Sequence, residues 1–473
     1  MASRGDIKIE QVQPKLFKNW VKLSIDQTID KSGSFVKLKS KDYFENGDFP
    51  VVDQGDKFVS GYVNDQNLLY QGELPVIIFG DHTRNIKFID FPFAVGADGT
   101  KILRPKSFYN PKFYHYYFKS LRVPDLGYSR HFSILKEIEF PLPPLAEQNR
   151  IVDKLDRLFN QLEIIKVSLA NIPLLLKDFR QQVLTQAVTG KLTEEWRKGK
   201  DLTSLSLINK LKSRHSDIGG HKKGNAANHD IVKHQITFIE LPNSWNVLEM
   251  KYICKPEKPI TYGILMPGPE IIDGKPYLKV MSYPNNCIDF TKIRHTSDII
   301  EANFKRSRLS YGDIVLSIRG TVGRIIIIPE VLEGANLTQD SARLSIQNGM
   351  NNFFVAIVLK SKLLQDVMDS VTKGVAVRGI NIGDVRHLRI PIPDLIEQNE
   401  IVSRVESLFA KADAIEQQYK TIKEKIDILP QALLHKVFKG ELTEQLDSDG
   451  DARELLQQIQ VLKEEQSKKG KIK

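Results

Sequence analysis

The sequence is poor in the features that mark several large classes of protein. It contains two cysteines among 473 residues, Cys254 and Cys287, which are too few for a disulfide framework and not spaced for a metal site. We expect a reducing compartment and two buried, unreactive thiols. No apolar run approaches the roughly 20 residues that a membrane span needs, and the polar start of the chain lacks an apolar signal core. These absences indicate a cytoplasmic protein.

The short motifs of common catalytic sites are missing as well. The chain has no Walker A sequence, no Gly-x-Gly-x-x-Gly, no His-Glu-x-x-His and no Cys-x-x-Cys. It also lacks the Asn/Asp-Pro-Pro-aromatic motif expected of an adenine methyltransferase. No carboxylate or cysteine near His82 or His131 is spaced to form a catalytic triad. Nuclease sites are too degenerate to exclude by motif, so an enzyme remains one alternative class.

What the sequence does contain is a segment that occurs twice. Residues 141–152, PLPPLAEQNRIV, return as residues 391–402, PIPDLIEQNEIV, at an offset of 250. The offset holds without a gap as far as GKLTE at 190–194 and GELTE at 440–444. Such a repeat determines the architecture of the chain.

Each copy predicts a long helix with a coiled-coil stripe. Apolar residues recur at alternating steps of four and three, which is the heptad spacing. These positions are Ile151, Leu155, Leu158, Leu162, Ile165, Leu169, Ile172, Leu176, Phe179 and Val183, and Ile401, Val405, Leu408, Ala412, Ile415, Tyr419, Ile422, Ile426, Leu429 and Leu433. An ordinary amphipathic helix in a globular core is the alternative. Because one helix cannot shield its own stripe from water, we predict that the two copies pack on each other.

The ends of both helices are marked in the sequence. Each helix follows a proline-rich entry, and Gly190 and Gly440 suit left-handed C-caps. Pro173 and Pro430 should kink each helix or break it in two.

The remaining chain predicts an α+β fold with approximate two-fold symmetry, in which two globular α/β domains are separated by two antiparallel helices. Strands are expected at 75–79, 87–91, 313–317 and 324–328, and short helices at 111–121 and 352–371. The predicted divisions are a first domain 1–139, a helical spacer 140–197, a linker 198–240, a second domain 241–389, a second spacer 390–447 and a tail 448–473.

The net charge of +10 favours a polyanionic partner. The first domain carries +3 and the second +5, whereas the helical repeats carry +1 and −4. This distribution indicates that the domains contact the polyanion and the repeats contact protein.

Two loops in each domain are rich in the side chains that bind base edges and phosphates. The candidates are His82, Thr83, Arg84 and Lys87 with Tyr128, Ser129 and Arg130 in the first domain, and Arg319, Thr321 and Arg324 with Lys373, Arg378 and Asn381 in the second. For each loop the alternative is a solvated polar turn.

The duplicated PLPPLAEQ segment, the heptad helix and GKLTE resemble the two conserved regions of Type I restriction–modification specificity subunits, and FRQQVL at 179–184 resembles the enteric subfamily. The resemblance covers essentially the whole chain. It implies a non-catalytic, DNA-binding subunit in which each domain recognises half of a split site.

The same resemblance implies partners and cofactors. Two modification subunits would bind S-adenosylmethionine and methylate adenine, and two restriction subunits would use ATP and Mg²⁺, so this chain itself would hold no cofactor. The paired helices would set the spacing between half-sites and dock the modification subunits. A coiled-coil scaffold that joins two protein-binding modules is the second alternative.

Overall fold

The structure is a computed structural model that describes residues 19–96, 99–124, 130–136, 138–217, 240–372 and 378–458. The chain forms two compact units. Unit 1 comprises Met1–Ala170 and Lys420–Lys473, and unit 2 comprises Asn171–Tyr419. Each unit therefore combines one globular segment with the beginning of one repeat helix and the end of the other.

Unit 1 is built from short strands, short helices and parts of the two long helices. Its strands are β1 (Val21–Ser24), β2 (Ile29–Asp30), β3 (Lys37–Leu38), β4 (Phe49–Val52), β5 (Gly61–Val63), β6 (Val76–Gly80), β7 (Ile86–Ile89), β8 (Ala94–Gly96), β9 (Thr100–Pro105) and β10 (Glu139–Leu142). Its helices include α1 (Ile25–Thr28), α2 (Pro111–Ser120), α3 (Phe132–Leu135) and α4 (Leu145–Ala170), joined by the last part of α13 (Leu395–Phe438).

Unit 2 has the same kinds of element. Its strands are β11 (Asn246–Glu249), β12 (Thr261–Tyr262), β13 (Lys275–Leu278), β14 (Arg294–Thr296), β15 (Ile314–Ser317), β16 (Ile325–Ile327), β17 (Asn336–Leu337), β18 (Ser341–Leu344) and β19 (Arg389–Ile392). Its helices are α5 (Ile172–Val188), α6 (Glu194–Arg197), α7 (Leu205–Asp217), α8 (Met250–Ile253), α9 (Asp298–Ala302), α10 (Asn352–Lys360), α11 (Lys362–Val371) and α12 (Ile382–His387), with the first part of α13.

The two globular segments share one topology, except that unit 1 has one more strand, β3, which pairs with β8 in its second sheet. Unit 1 has a sheet of order β2-β9-β6-β7, and unit 2 has the matching sheet β12-β18-β15-β16. In a second sheet β4 is parallel to β8 and antiparallel to β5, and β13 is parallel to β17 and antiparallel to β14. The antiparallel pairs β1–β10 and β11–β19 bring the two ends of each segment together. The prediction of two α/β domains of common architecture is confirmed.

The short helices form where the sequence predicts them, because each begins at a capping side chain. Asn110 caps α2 and Asn351 caps α10, and each side-chain oxygen accepts from the main-chain N–H groups two and three residues later. The helix expected over 352–371 is two helices. Ser361 has extended backbone at the break, and its hydroxyl caps α11.

The two long helices begin and end at matching positions, Leu145 and Leu395, then Val188 and Phe438. They are followed by Gly190 at φ +73° and Gly440 at φ +70°, so the predicted left-handed glycines are confirmed.

The two prolines behave differently. The first helix is interrupted at Asn171, and Pro173 lies in the first turn of α5, where its missing N–H costs no helical hydrogen bond. The second helix, α13, runs through Pro430 without interruption, so of the two predicted outcomes, a kink or a break, the break is wrong there.

Within each unit the helix segments lie antiparallel. In unit 2 the Arg404 guanidinium donates to the Leu192 carbonyl at 2.9 Å, whereas Arg180 lies further back along the first helix and binds Asp413 at 2.6 Å and Glu416 at 2.9 Å. In unit 1 the Lys154 amine donates to the Leu442 carbonyl at 2.6 Å. This pair is the counterpart of Arg404 and Leu192 at the repeat offset, with the two copies exchanged.

The heptad stripe is more deeply buried along one of its two rows than along the other. One row takes every seventh residue from Leu155 onward. It is buried at Leu155, Leu162, Leu176 and Val183, and the equivalent row of the second copy is buried at Val405, Ala412 and Ile426. In the other row the exposed positions are Ile165, Phe179, Ile415, Ile422 and Leu429. Five of the twenty stripe positions are therefore exposed, and the other fifteen are buried or half-buried.

Each unit has its own apolar core. In unit 1, Phe438 of α13 packs edge-on against Phe113 and Tyr117 of α2 at centroid separations of 5.5 and 4.9 Å. In unit 2, Val183 and Ile401 from the two helices join the core formed around the β12-β18-β15-β16 sheet and α10. Cys254 is buried as expected, but Cys287 is exposed, which corrects the prediction for that thiol.

Candidate nucleic-acid interface

The turn between β6 and β7 presents the first group of candidate residues. Two main-chain hydrogen bonds close the turn. The Arg84 N–H donates to the Gly80 carbonyl at 2.7 Å, and the Gly80 N–H donates to the Asn85 carbonyl at 2.8 Å. Arg84 has φ of +63°, an uncommon conformation for a residue with a Cβ, and its guanidinium donates to the Val123 carbonyl at 3.2 Å. The turn is therefore held in one shape from both its main chain and its arginine.

A further loop, residues 53–60, supports this turn and was missed by sequence reasoning. The His82 N–H donates to the Gln54 side chain at 3.1 Å, and the Thr83 hydroxyl donates to the Gln54 carbonyl at 2.5 Å. Asn85 donates to the same carbonyl and to the Asp56 carboxylate, at 2.9 and 3.0 Å. Lys57 is exposed beside these contacts. Because the loop is far from the turn in sequence, local composition did not reveal the pairing.

Lys87 has a structural position rather than an exposed one. Its side chain is 5% accessible, and its amine donates to the carbonyls of Asp53 and Lys57 at 2.8 and 2.5 Å. Burial lowers the pKa of Lys87. In unit 2, Arg324 makes the matching contact, since its guanidinium donates to the Val280 carbonyl at 3.0 Å. Both basic residues tie the turn to a loop of the neighbouring sheet.

The second candidate loop of unit 1 docks on the first. His131 is buried, its N–H donates to the Asp81 carbonyl at 2.9 Å, and its Nδ1 lies 2.8 Å from the same oxygen. The Phe132 N–H donates to the Asp81 carboxylate at 2.8 Å. Arg130 is exposed beside this junction, while Tyr128 and Ser129 lie outside the described residues.

Unit 2 joins its two candidate loops directly through the main chain. Arg319 and Gly379 form an antiparallel bridge, flanked by Gly320 N–H to the Arg378 carbonyl and Ile380 N–H to the Ile318 carbonyl, both at 2.9 Å. The side chains of Arg319, Thr321, Arg378 and Asn381 are exposed, and Lys373 lies outside the described residues. The structure thus brings the predicted loops together in each unit.

The charged and polar side chains of these loops suit non-covalent binding to an anion. Within the residues that the structure describes, no group of three or more His, Cys, Asp or Glu side chains is placed to hold a metal ion. In the same part of the chain no helix is long and apolar enough to cross a membrane.

The duplicated Glu-Gln-Asn sequence joins each globular segment to its helix. Trp20 Nε1 donates to the buried Glu147 carboxylate at 2.8 Å, and Trp245 Nε1 donates to Glu397 at 2.9 Å. Both tryptophans and both glutamates stand out in the sequence, but nothing local connects one to the other. Their pairing comes from the fold, because the strand after each tryptophan pairs with the strand before each helix.

The glutamine and the asparagine of the motif also make the same contacts in both units. Gln148 and Gln398 accept the main-chain N–H of Asn110 and Asn351, at 2.7 and 2.9 Å. The amides of these two capping asparagines donate to Asn149 and Asn399, each at 2.8 Å. The motif therefore fastens α2 and α10 to the start of the long helices.

The surroundings of the two glutamates differ. Glu397 also accepts from Thr193 at 2.7 Å and forms an ion pair with Arg197. In unit 1 the nearby Arg150 forms a two-pronged pair with Asp449 at 2.5 and 2.6 Å. Burial accordingly raises the pKa of Glu147, and the Trp20 hydrogen bond offsets part of this rise.

Two segments with paired polar loops, each fastened to duplicated helices, define a protein with two recognition modules of one design. A family profile described as "Type I restriction modification DNA specificity domain" matches residues 18–174 and 268–424. The chain belongs to this family of specificity subunits, the non-catalytic component of Type I restriction–modification systems.

Curated relatives agree with the family match. The Type I restriction enzyme EcoBI specificity subunit of Escherichia coli is 30% identical over 467 residues, covering 94% of this chain and 92% of that protein. The EcoKI specificity subunit of Escherichia coli strain K12 is 29% identical, covering 76% of this chain and 73% of that protein. The StySPI specificity subunit of Salmonella potsdam is 28% identical over 72% of this chain and 68% of that protein.

Two solved structures share the fold. The HsdS subunit from Thermoanaerobacter tengcongensis has a TM-score of 0.53 and 16% identity, covering 90% of this chain and 98% of that one. A chain from a study of complex assembly and conformational transition in the type I R–M system has a TM-score of 0.56 and 16% identity, covering 90% and 99%.

Proposed function

We propose that this chain recognises a bipartite DNA site, one half through each unit. The observation that carries the proposal is the equivalence of the two units. They have the same strand order in their main sheets and a joined pair of loops in each unit, but different side chains on those loops. Two modules of one architecture with different binding residues suit two different half-sites.

The proposed base and phosphate contacts come from the exposed side chains of these loops. In unit 2 they are Arg319, Thr321, Arg378 and Asn381, which surround one main-chain bridge. In unit 1 they include the exposed Thr83 and Arg130, together with the half-buried His82 and Arg84 of the same turn as Thr83. Lys87 and Arg324 position the turns, since both donate to main-chain carbonyls of a neighbouring loop. Forked donors of this kind are suited to base edges and phosphates.

The long helices would set the spacing between half-sites and dock two modification subunits. Support comes from apolar side chains that the helices leave in solvent, namely Ile164, Ile165, Val167, Leu174, Leu175, Phe179, Ile415, Ile422, Ile428 and Leu429. Surface of this kind on an otherwise polar helix is typical of protein contacts. In this proposal methylation and cleavage belong to the modification and restriction subunits, which bind S-adenosylmethionine, ATP and Mg²⁺. This chain holds no cofactor and acts in the cytoplasm.

Methylome sequencing of cells that express this chain with its cognate modification subunit tests the proposal. We expect one split motif with methylated adenine in each half. Replacing Arg319 should change the bases that unit 2 requires in its half of the motif, or lower methylation at that half. The other half of the motif should stay intact. If both subunits fold and associate but no new methylated motif appears, the proposal is wrong.

The scaffold alternative makes a different prediction about salt. A DNA-binding subunit releases counterions, so its affinity for DNA falls steeply between about 50 and 200 mM salt. A scaffold would show DNA affinity independent of sequence even with its partner subunits present. Titrating cognate and scrambled duplexes at several salt concentrations separates the two.

A further inference from the structure

The loop after β12 lies at the same edge of the unit 2 sheet as the candidate DNA-binding loops. Tyr262 at the end of β12 pairs with Ala342, and Ser317 at the end of β15 pairs with Ser341, so both strands end where β18 begins. The turn before β18 connects the two ends, because Ile264 forms a bridge with Thr338 and the Ile318 N–H donates to the Asp340 carbonyl at 2.8 Å. Residues 265 and 266 therefore follow a strand end beside the Arg319 loop.

A second loop reaches this edge from the neighbouring sheet. The Thr338 N–H donates to the Leu278 carbonyl at 3.0 Å, so β13 ends at the same turn. The next residues carry the Val280 carbonyl that accepts from Arg324. Met281 follows immediately and is thus placed beside the β15–β16 turn.

These two loops expose methionine where the other described methionines are buried. Met266 is 83% accessible and Met281 is 59% accessible, whereas Met250, Met350 and Met368 are each at most 9% accessible. Leu265, next to Met266, is also exposed. Large apolar side chains in solvent indicate a contact surface when they are clustered. Here they share an edge with Arg319, Thr321, Arg378 and Asn381, a polar and positively charged group that suits DNA.

We propose that Met266 and Met281 contact a thymine methyl group in the half-site recognised by unit 2. The inference rests on the proposed function, because it assigns an element of specificity to the same surface. In the major groove the C5-methyl of thymine is the apolar feature of the base edges, and apolar side chains recognise it by contact. A flexible, unbranched methionine can follow such a surface without requiring a hydrogen-bond geometry.

The test uses duplexes that carry the methylated motif and the complex of this chain with its modification subunit. Each thymine of the unit 2 half is replaced in turn by deoxyuridine, which removes one methyl group and no hydrogen-bonding atom. Dissociation constants are measured at one fixed salt concentration for wild type, Met266→Ala and Met281→Ala. Val331→Ala is the matched control. Val331 is 74% accessible and follows β16, whose end pairs with the far end of β15.

We expect at least one deoxyuridine to weaken wild-type binding about three- to tenfold, in line with the loss of one buried methyl contact. Met266→Ala or Met281→Ala should weaken binding to the thymine duplex by a similar factor. The same variant should lose the discrimination between thymine and deoxyuridine at that position. Val331→Ala should retain it.

Two results would overturn the inference while leaving the proposed function intact. One is sequence-specific binding by wild type that no deoxyuridine in the unit 2 half weakens. The other is a methionine variant that binds less tightly but still discriminates thymine from deoxyuridine as wild type does. If wild type instead binds cognate and scrambled duplexes equally, the proposed function fails and this inference fails with it.

Discussion

The two buried glutamates of the repeated motif should respond differently to the same substitution. Glu397 is fully buried and accepts from Trp245 and Thr193 while paired with Arg197. Replacing it by alanine leaves a guanidinium and two further donors without their acceptor. Removal of one partner from a buried pair costs about 3–5 kcal/mol of unfolding free energy. The Glu147→Ala change should cost less, about 1–3 kcal/mol, because its Trp20 contact is a hydrogen bond to a neutral group.

Glutamine separates the charge from the hydrogen bond. Glu397→Gln keeps an acceptor for Trp245 but removes the charge opposite Arg197, so it should still be destabilising. Glu147→Gln keeps the acceptor for Trp20 and removes a carboxylate whose charged form is penalised by burial. We expect Glu147→Gln to be neutral or stabilising at neutral pH.

The pH dependence of the Glu147→Gln effect has a definite sign. The folded pKa of Glu147 lies above its usual value of 4.5, so the folded state binds this proton more tightly than the unfolded state. The wild type therefore loses stability, relative to the glutamine variant, as pH rises from about 4.5 through the raised folded pKa. The stability of Glu147→Gln relative to wild type should therefore rise across that pH interval and stay constant above it.

Urea unfolding of the four variants, followed at pH 5 and pH 7.5, measures these differences. Hydrogen-exchange mass spectrometry assigns each loss to its unit, through peptides that cover β1 and β10 or β11 and β19. Equal losses for Glu147→Gln and Glu397→Gln would refute this prediction, because the expected difference comes from the ion pair between Glu397 and Arg197, which Glu147 does not share. A stabilising effect of Glu147→Gln that shrinks with rising pH would refute the assigned direction of the pKa shift.

Three further changes have defined outcomes. Arg319→Ala should weaken binding to the cognate duplex by about 1–3 kcal/mol and relax the base specificity of the unit 2 half-site. Equal weakening on all duplexes in a binding titration would instead mark Arg319 as a phosphate contact. Gly190→Ala should cost about 1–2 kcal/mol in urea unfolding, since φ is +73° and the added Cβ would lie 2.5 Å from Pro242 Cγ; an unchanged midpoint would contradict this. Asp449→Ala should raise hydrogen exchange at the C-terminal end of unit 1 because Arg150 loses its two-pronged partner, and unaltered exchange would show that the pair is dispensable.

Much of the fold was predictable from the sequence because the repeat is a local and periodic signal. The strand expected at 313–317 is β15 at Ile314–Ser317, and the helix expected at 111–121 is α2 at Pro111–Ser120. The two candidate loops of each domain were also found from composition, and the fold joins them. Whether their side chains contact DNA stays a prediction.

The errors have physical causes that local sequence does not contain. A proline in an initial helical turn and a proline inside a helix look alike in sequence, yet the chain breaks before Pro173 and continues through Pro430. Lys87 lies in a polar turn and looked exposed, but its amine is buried against carbonyls of a loop thirty residues away. The thiol of Cys287 was expected to be buried and is exposed.

The sequence by itself determined that the chain is duplicated, that its helices begin and end at matching residues and that its basic charge lies outside the repeats. These properties follow from periodicity, capping and composition, which act within a few residues. Tertiary structure alone decided that each unit combines helix segments from both repeats and that each tryptophan donates to a glutamate of the Glu-Gln-Asn motif. It also placed Met266 and Met281 beside the Arg319 loop. The reason is that a β-sheet brings strand ends together across long stretches of chain, and no local pattern records which ends will meet.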